Sequence, residues 1–288
     1  MNISTDFGGY TSVRRSVWRS LLHDPMTLLG MGTLSVIVLL TLIGPLIVSN
    51  DPLTVQMSER LQSHSWQYPL GTDHMGRCIF ARLIWGARTT LGISTLAIVT
   101  VILIGIPVGL VSGYVGGCVD SVLMRLVDGI SALPQFILAV AISGLLGPSL
   151  SNLMLSIILV QWVEYARIVR SLVLSEREKE YVLAARVAGC ETHTILWRHL
   201  LPQIISPVMI LAALDMGKII LIIASLSYLG LGAQPPAPEW GAMLNDGRPY
   251  FQTVPQLMIY PGLAIMLVII CCNLISDGLR NILDVRSR

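Results

Sequence analysis

Long apolar runs separated by short polar stretches organise this chain. The six longest runs are Met26–Val48, Thr90–Ser112, Val122–Leu146, Leu150–Val169, Ile204–Leu231 and Leu257–Ile275. A run of about 20 apolar residues is long enough to cross the roughly 30 Å apolar core of a bilayer as a helix. The pattern therefore predicts an all-α polytopic membrane protein with six transmembrane helices.

The composition agrees with this class and argues against others. Hydrophobic residues make up 53% of the chain and charged residues 12%, whereas a soluble domain carries about 25% charged residues. The formal net charge of +2 is too small to indicate a nucleic-acid partner. Membrane lipid is the surrounding that we expect.

The first apolar run, 26–48, is predicted to stay in the protein. A cleavable signal peptide has an apolar region of about 7–15 residues, and this run is longer and follows a polar stretch, 1–25. We therefore expect an N-terminal tail at 1–25, followed by an uncleaved first transmembrane helix.

The positions of Arg and Lys predict the orientation of the spans. Basic residues precede the first span, fill the connection between spans four and five, and follow the sixth span in the tail 278–288. With six spans these regions fall on one side, so both termini are predicted to be cytoplasmic. The connection 49–88 argues the other way, because it falls outside and yet contains Arg60, Arg77, Arg82 and Arg88. Three basic regions outweigh one.

Two connections are predicted on the outer side. In 49–88, apolar residues recur at helical spacing from Ile79, which predicts a short amphipathic helix at the membrane interface. In 232–256, the prolines Pro235, Pro236 and Pro238 exclude a helix at the start. A short helix is expected near Gly241–Asp246.

The cytoplasmic connection 176–202 is predicted to fold into two short helices joined by a tight bend. Strong helix formers fill Arg177–Val187, Gly189 suits the position after a helix end, and Thr192 suits an N-cap. Pro202 is expected to end the second helix and open the fifth span. The small residues Ala184, Ala185 and Ala188 would let another surface approach closely.

These residues carry a resemblance to a known family. Ala184-Ala185, then Gly189, then Leu201-Pro202 resembles the EAA loop of permease subunits in bacterial ATP-binding cassette (ABC) importers. The chain is also similar to the second permease subunit of the dipeptide/oligopeptide/nickel branch in four further segments: LGTDHMGRCIFARLIWGAR (70–88), GYVGGCVDSVLMRLVD (113–128), SYLGLGAQPPAPEWGAML (227–244) and PGLAIMLVIICCNLISDGLRNILD (261–284).

The resemblance implies a type I ABC importer permease fold with a transmembrane core at 89–277, in the bacterial inner membrane. It implies that the loop docks into an ATP-binding subunit through Ala184, Ala185, Gly189, Leu201 and Pro202. Leu183 departs from the pattern, because it stands where the family has Glu. The implied partners are a second homologous permease, two ATP-binding cassette subunits and an extracytoplasmic substrate-binding protein.

Two charged residues fall in the middle of the fifth span. Asp215 and Lys218 are three residues apart, on one face of a helix. A charge at the centre of a bilayer costs about 2.5–3.5 kcal/mol on insertion scales, so the two are expected to pair. They either line a translocation pathway or form a packing salt bridge toward a partner permease.

No cofactor is predicted for this chain. His74 and Cys78 are spaced like ligands, but an incidental pair is the simpler interpretation, so no metal site is predicted. The phosphate-binding pattern G-x-x-x-x-G-K-[ST] is absent from the sequence, so ATP and Mg²⁺ are expected on partner subunits and the chain itself is predicted not to be an enzyme. A self-sufficient secondary transporter is the alternative. The substrate stays open between a dipeptide, an oligopeptide, nickel and a metal–chelate complex.

Overall fold

The computed structural model describes residues 24–48 and 50–284, which are mostly helical. We number the helices of these residues in chain order. They are α1 Pro25–Ile47, α2 Ile79–Val115, α3 Gly117–Ser131, α4 Gln135–Leu146, α5 Leu150–Glu176, α6 Glu180–Val187, α7 Thr192–Tyr228, α8 Trp240–Gly247 and α9 Gln256–Asp284. Residues 1–23 of the predicted N-terminal tail and residues 285–288 of the C-terminal tail lie outside the described residues.

The predicted number of spans is only partly matched. Within the described residues, α1, α2, α7 and α9 are long and apolar enough to cross a membrane, and α3 with α4 would make a fifth span. Helix α5 covers the predicted span 150–169, but Gln161, Glu164 and Arg167 interrupt its apolar residues. An interior helix needs no uniformly apolar surface, because its polar residues can face neighbouring helices. Six spans therefore stay a prediction.

The predicted span 122–146 is not one continuous helix. The chain bends by 83° between α3 and α4, and Pro134 is the N-cap of α4. The residue before a proline is disfavoured in the helical conformation, and Pro134 has no N–H to donate to the preceding turn. The helix therefore ends at Ser131 and restarts at Gln135.

The predicted interfacial helix after Ile79 is also wrong as a separate element. Residues 79–115 form one continuous helix of 37 residues, which is about 55 Å long at 1.5 Å per residue. It is longer than the bilayer core, so its first turns can project beyond it. Arg82, expected on a polar surface, is buried against the connection 232–256.

Helices α2 and α5 pack in parallel at the centre of the fold. Gly105, Gly109 and Gly113 recur every fourth residue along α2. A Cβ on these glycines would lie 2.5 Å, 2.6 Å and 2.8 Å from the Cβ atoms of Tyr165, Val169 and Val173 on α5, respectively. Glycines at this spacing let two membrane helices approach backbone to backbone.

The remaining long helices surround this pair. Helix α7 contacts α2, α5 and α9, and α1 lies against α9 and α2. The largest hydrophobic core joins α2, α5 and α7 and extends to Val182 and Ala185 of α6. Most of α1 is exposed, as expected for a helix that faces lipid.

The connections collect at two opposite ends of the helices. The segment 50–78 and the segment 229–255 meet at the end where α2 begins. Helix α6 lies at the end where α2 stops, because Arg177 and Arg186 contact Gly113 and Tyr114. The two predicted outer connections therefore share one end of the fold, and the predicted cytoplasmic connection occupies the other.

Candidate functional sites

Helix α6 ends in a tight turn that only a few residue types can adopt. Gly189 has a φ of +77°, in the left-handed region that favours glycine. The N–H of Cys190 donates to the carbonyl of Ala185, and the N–H of Gly189 donates to that of Arg186, both at 3.0 Å. This pair of bonds is the Schellman motif. It confirms the helix end predicted at Gly189.

The segment after this turn differs from the prediction. Thr192 is not an N-cap but the first helical residue after Glu191, and the helix continues through Pro202 to Tyr228. A wide π turn at Ile195–Leu200 precedes the proline, with the N–H of Leu201 donating to the carbonyl of Leu196. Pro202 occupies the second position of the regular α-helix that follows, where its missing N–H is tolerated. The bend at Gly189 is therefore followed directly by one rigid helix.

The small residues that were predicted to form one face of α6 lie in two different environments. Ala185 is buried against the main core, whereas Ala184 and Gly189 are exposed. Val187 is 90% exposed. We call the exposed apolar and small residues of this element the coupling surface, after the docking role predicted for it; it comprises Leu183, Ala184, Val187, Ala188 and Gly189. Leu201 is half-buried and Pro202 is exposed.

Val187 was not singled out from the sequence, and Leu183 was noted there only as a departure from the family pattern. Both are apolar side chains in a predicted cytoplasmic connection, which is the signal that could have identified them. Leu183, where the family has Glu, adds apolar area to the coupling surface rather than a charge.

Polar contacts tie α6 to the end of α2. The guanidinium of Arg186 lies over the ring of Tyr114, 4.9 Å from its centroid, and Arg177 donates to the carbonyl of Gly113 at 2.9 Å. Nearby, Arg170 donates two hydrogen bonds of 2.5 Å and 2.6 Å to Asp120 at the start of α3. A displacement of α6 would therefore act on α2 and α5 as well as on α7.

The intramembrane charges form a cluster of three rather than a pair. The ammonium of Lys218 lies 2.9 Å from a carboxylate oxygen of Glu164 on α5 and 3.9 Å from Asp215. Glu164, which the sequence analysis missed, is thus the nearer partner. It is an acidic residue in a predicted span, but sequence spacing alone does not reveal which helices are neighbours.

This cluster is open on one side. The side chains of Lys218 and Glu164 are 41% and 33% exposed, whereas that of Asp215 is 7% exposed. Charges at this depth avoid lipid. The open side therefore faces protein or water in the membrane, which fits both the pathway and the partner interface.

A second charged cluster lies at the opposite end from the coupling surface. Arg77 contacts Asp73 at 2.7 Å and Asp246 at 3.2 Å, and Arg82 contacts the same two carboxylates at 3.5 Å and 3.2 Å. Both arginines are buried. These two arginines, which are among the four that opposed the predicted orientation, are thus paired with acidic partners inside the fold.

The same end is fixed by a buried glutamate. Glu239 accepts hydrogen bonds from the N–H groups of Gly241 and Ala242 at the start of α8, and from the hydroxyl of Thr90 on α2. The indole of Trp240 donates to the carbonyl of Leu83 at 3.0 Å. The segments 70–88 and 227–244, two of those quoted for the resemblance, therefore lock to each other. Helix α8 confirms the short helix predicted near Gly241–Asp246.

The histidine and cysteine at this end do not act as a ligand pair. His74 stacks on Tyr250 with ring centroids 5.5 Å apart, while Cys78 packs in a small core with Tyr68 and Ala81. Burial lowers the pKa of His74, which favours the neutral imidazole at neutral pH. Among the described residues, no group of three His, Cys, Asp or Glu side chains could hold a metal ion.

Two family models match this chain. The model of the family "Binding-protein-dependent transport system inner membrane component" matches residues 105–288. The chain belongs to this family. A model of the N-terminal transmembrane domain of oligopeptide transport permease C matches residues 12–63.

Curated relatives agree over most of the chain. The dipeptide transport system permease protein DppC of Alkalihalophilus pseudofirmus is 38% identical over 97% of this chain and 92% of its own length. The nickel transport system permease protein NikC of Escherichia coli K12 is 41% identical over 81% of this chain and 84% of its own. The di/tripeptide transport system permease protein DppC of Pseudomonas aeruginosa is 37% identical over 96% and 93%.

Solved structures agree on the fold. A chain of the MetNI methionine ABC transporter, in an inward-facing conformation, matches with a TM-score of 0.56 and 17% identity, over 69% of this chain and 95% of that one. The predicted resemblance is confirmed: the chain is a transmembrane permease subunit of an ABC importer with the type I permease fold.

Proposed function

We propose that this subunit forms half of a translocation pathway for a peptide, nickel or metal–chelate substrate delivered by an extracytoplasmic binding protein. Its relatives are named for dipeptide, di/tripeptide and nickel transport, and this range supports substrates of these classes. The other half comes from a second homologous permease, and two ATP-binding cassette subunits complete the importer. The observation that carries the proposal is helix α7, which starts just after the tight turn of the coupling surface at Gly189 and carries the intramembrane charges Asp215 and Lys218.

That helix gives the mechanism a physical basis. The coupling surface lies before the bend at Gly189, and Asp215 and Lys218 lie more than 20 residues further along the chain, in α7. A helix transmits displacement along its axis, because its backbone hydrogen bonds keep it rigid. When the ATP-binding subunits close, they would push α6 and tilt α7, so the cluster at Glu164, Asp215 and Lys218 alternates between the two sides.

The chain contributes no chemistry of its own in this scheme. The sequence has no phosphate-binding loop for ATP, so ATP and Mg²⁺ are used by the partner subunits. In this proposal the coupling surface and both termini of the chain face the cytoplasm, and the subunit lies in the inner membrane. Of the four arginines that argue against this orientation, Arg77 and Arg82 are held in buried ion pairs within the fold.

Reconstitution tests the proposal. Purified permease pair, ATP-binding subunits and substrate-loaded binding protein are placed in proteoliposomes, and uptake of ⁶³Ni²⁺ and of radiolabelled alanyl-alanine is measured with and without ATP. We expect uptake of one of the two probes that needs ATP and the binding protein. Uptake by this chain alone, driven by a proton or sodium gradient, would contradict the proposal and favour a secondary transporter.

A further inference from the structure

The charged cluster between α5 and α7 contains one more negative charge than positive charge. Lys218 pairs closely with Glu164 and more distantly with Asp215, so one ammonium faces two carboxylates. Arg167, one turn further along α5, does not change this count, because it pairs with Asp128 at 3.1 Å. The surplus negative charge belongs to Asp215, whose contact with Lys218 is the longer one.

A polar side chain with no partner for its carbonyl oxygen lies on α5, one helical turn from this cluster. Gln161 is 4% exposed, and its carbonyl oxygen accepts no hydrogen bond among the described residues. It stands one helical turn before Glu164 and Tyr165 on α5, and the buried hydroxyl of Tyr165 likewise has no hydrogen-bond partner among the described residues. A buried acceptor without a donor costs about 1–3 kcal/mol. A ligand that brings donors would remove this cost.

The groups in this cluster determine which kind of ligand they can bind. A surplus carboxylate and a free carbonyl oxygen accept hydrogen bonds and attract positive charge, so they complement a cation that carries N–H or O–H donors. An anion would meet net repulsion. A protonated amine and a hydrated divalent metal ion both have this chemistry, and both occur among the substrate classes proposed above.

We infer that Asp215 of α7, together with Gln161 and Tyr165 of the neighbouring helix α5, binds the cationic part of the substrate as it crosses the membrane. The inference rests on the proposed function and adds the charge class of the substrate to it. Lys218 keeps the binding modest by offsetting one of the two carboxylates. A transport site must bind well enough to admit its ligand and weakly enough to release it.

Two variants distinguish a substrate-binding role of this cluster from a purely structural role. Asp215→Asn removes the surplus charge and leaves the Glu164–Lys218 pair intact. Gln161→Leu removes a buried acceptor that bonds to nothing in the described structure, so it should leave stability equal or higher. Asp277→Asn, the same change at an exposed carboxylate of α9 outside the cluster, is the control. Each variant is assembled into the full importer, and uptake of ⁶³Ni²⁺ and of alanyl-alanine is measured beside assembly and ATP hydrolysis.

We expect both cluster variants to lower uptake of the imported probe by about tenfold or more, since a hydrogen bond to a charged group is worth about 1.5–3 kcal/mol. Assembly and stimulated ATP hydrolysis should stay near wild type, and the control should transport normally. The probe that wild type imports tells whether the cation is a metal ion or an amine.

Wild-type uptake in both cluster variants would overturn the inference while leaving the proposed function intact. If Asp215→Asn fails to assemble, Gln161→Leu decides alone: reduced uptake with normal assembly supports the site, and normal uptake overturns it. A wild-type importer that takes up neither probe, nor a ⁶³Ni²⁺–histidine chelate or a labelled tripeptide, contradicts the proposed function itself, and the inference falls with it.

Discussion

Single residues set the geometry of the coupling surface. Gly189 holds a left-handed conformation that ends α6, and a Cβ at this position would meet no atom within 4 Å. A side chain there is therefore opposed by backbone strain and not by crowding within this subunit. For most residues the left-handed conformation costs roughly 1–2 kcal/mol, whereas Asn adopts it more readily.

This difference gives a prediction with a matched control. Gly189→Val should distort the turn, release the ATP-binding subunits during co-purification and lower ATP-driven uptake by about tenfold. Gly189→Asn should keep the turn and most of the uptake. A Val variant that transports and retains the ATP-binding subunits like wild type would show that the turn does not position the coupling surface.

Part of this local geometry could be predicted from the sequence, and the rest depends on how the helices pack. The end of α6 at Gly189 was predictable because a helix end depends on neighbouring residues. Glu164 was not identified as the partner of Lys218, because their contact depends on how α5 packs beside α7. Whether a proline interrupts a helix could not be predicted from the sequence either. Pro107, Pro207 and Pro261 lie inside continuous helices, whereas Pro134 separates α3 from α4.

At the scale of elements, the contact between α2 and α5 determines how the bundle assembles. The three glycines of α2 face Tyr165, Val169 and Val173 so closely that no side chain fits between the helices. Without a hydrophobic effect between helices in lipid, such close packing is a main source of their association. The pair in turn holds Glu164 at its place beside α7.

One glycine on this face can be compared with one that faces away. In Gly109→Ala, the new Cβ would lie 2.6 Å from the carbonyl oxygen of Ala166, so the helices must separate. We expect a loss of about 1–3 kcal/mol, seen as a lower melting temperature of the purified importer. Gly92→Ala on the same helix meets no atom within 4 Å and should leave the melting temperature unchanged or slightly raised. Equal melting temperatures for the two variants would contradict this packing.

At the scale of the whole molecule, rigid helices connect two opposite ends of the fold. At one end, buried ion pairs and Glu239 lock the two predicted outer connections together. At the other end, the coupling surface lies exposed and is joined to α7 by the tight turn at Gly189. The hydrophobic pattern identified the long apolar elements, but it could not show that 79–115 and 192–228 are continuous helices, because helix continuity depends on which residues are covered by the rest of the fold.

The central claim is that the coupling surface docks on the ATP-binding subunit, and photocrosslinking tests it most directly. A benzoylphenylalanine is placed at Val187, which is 90% exposed, and as a control at Leu145, which is 89% exposed at the end of α4. The assembled importer is irradiated in its membrane. We expect a covalent adduct with the ATP-binding subunit from position 187 and none from position 145. No adduct from position 187 in an importer that transports normally would contradict the account.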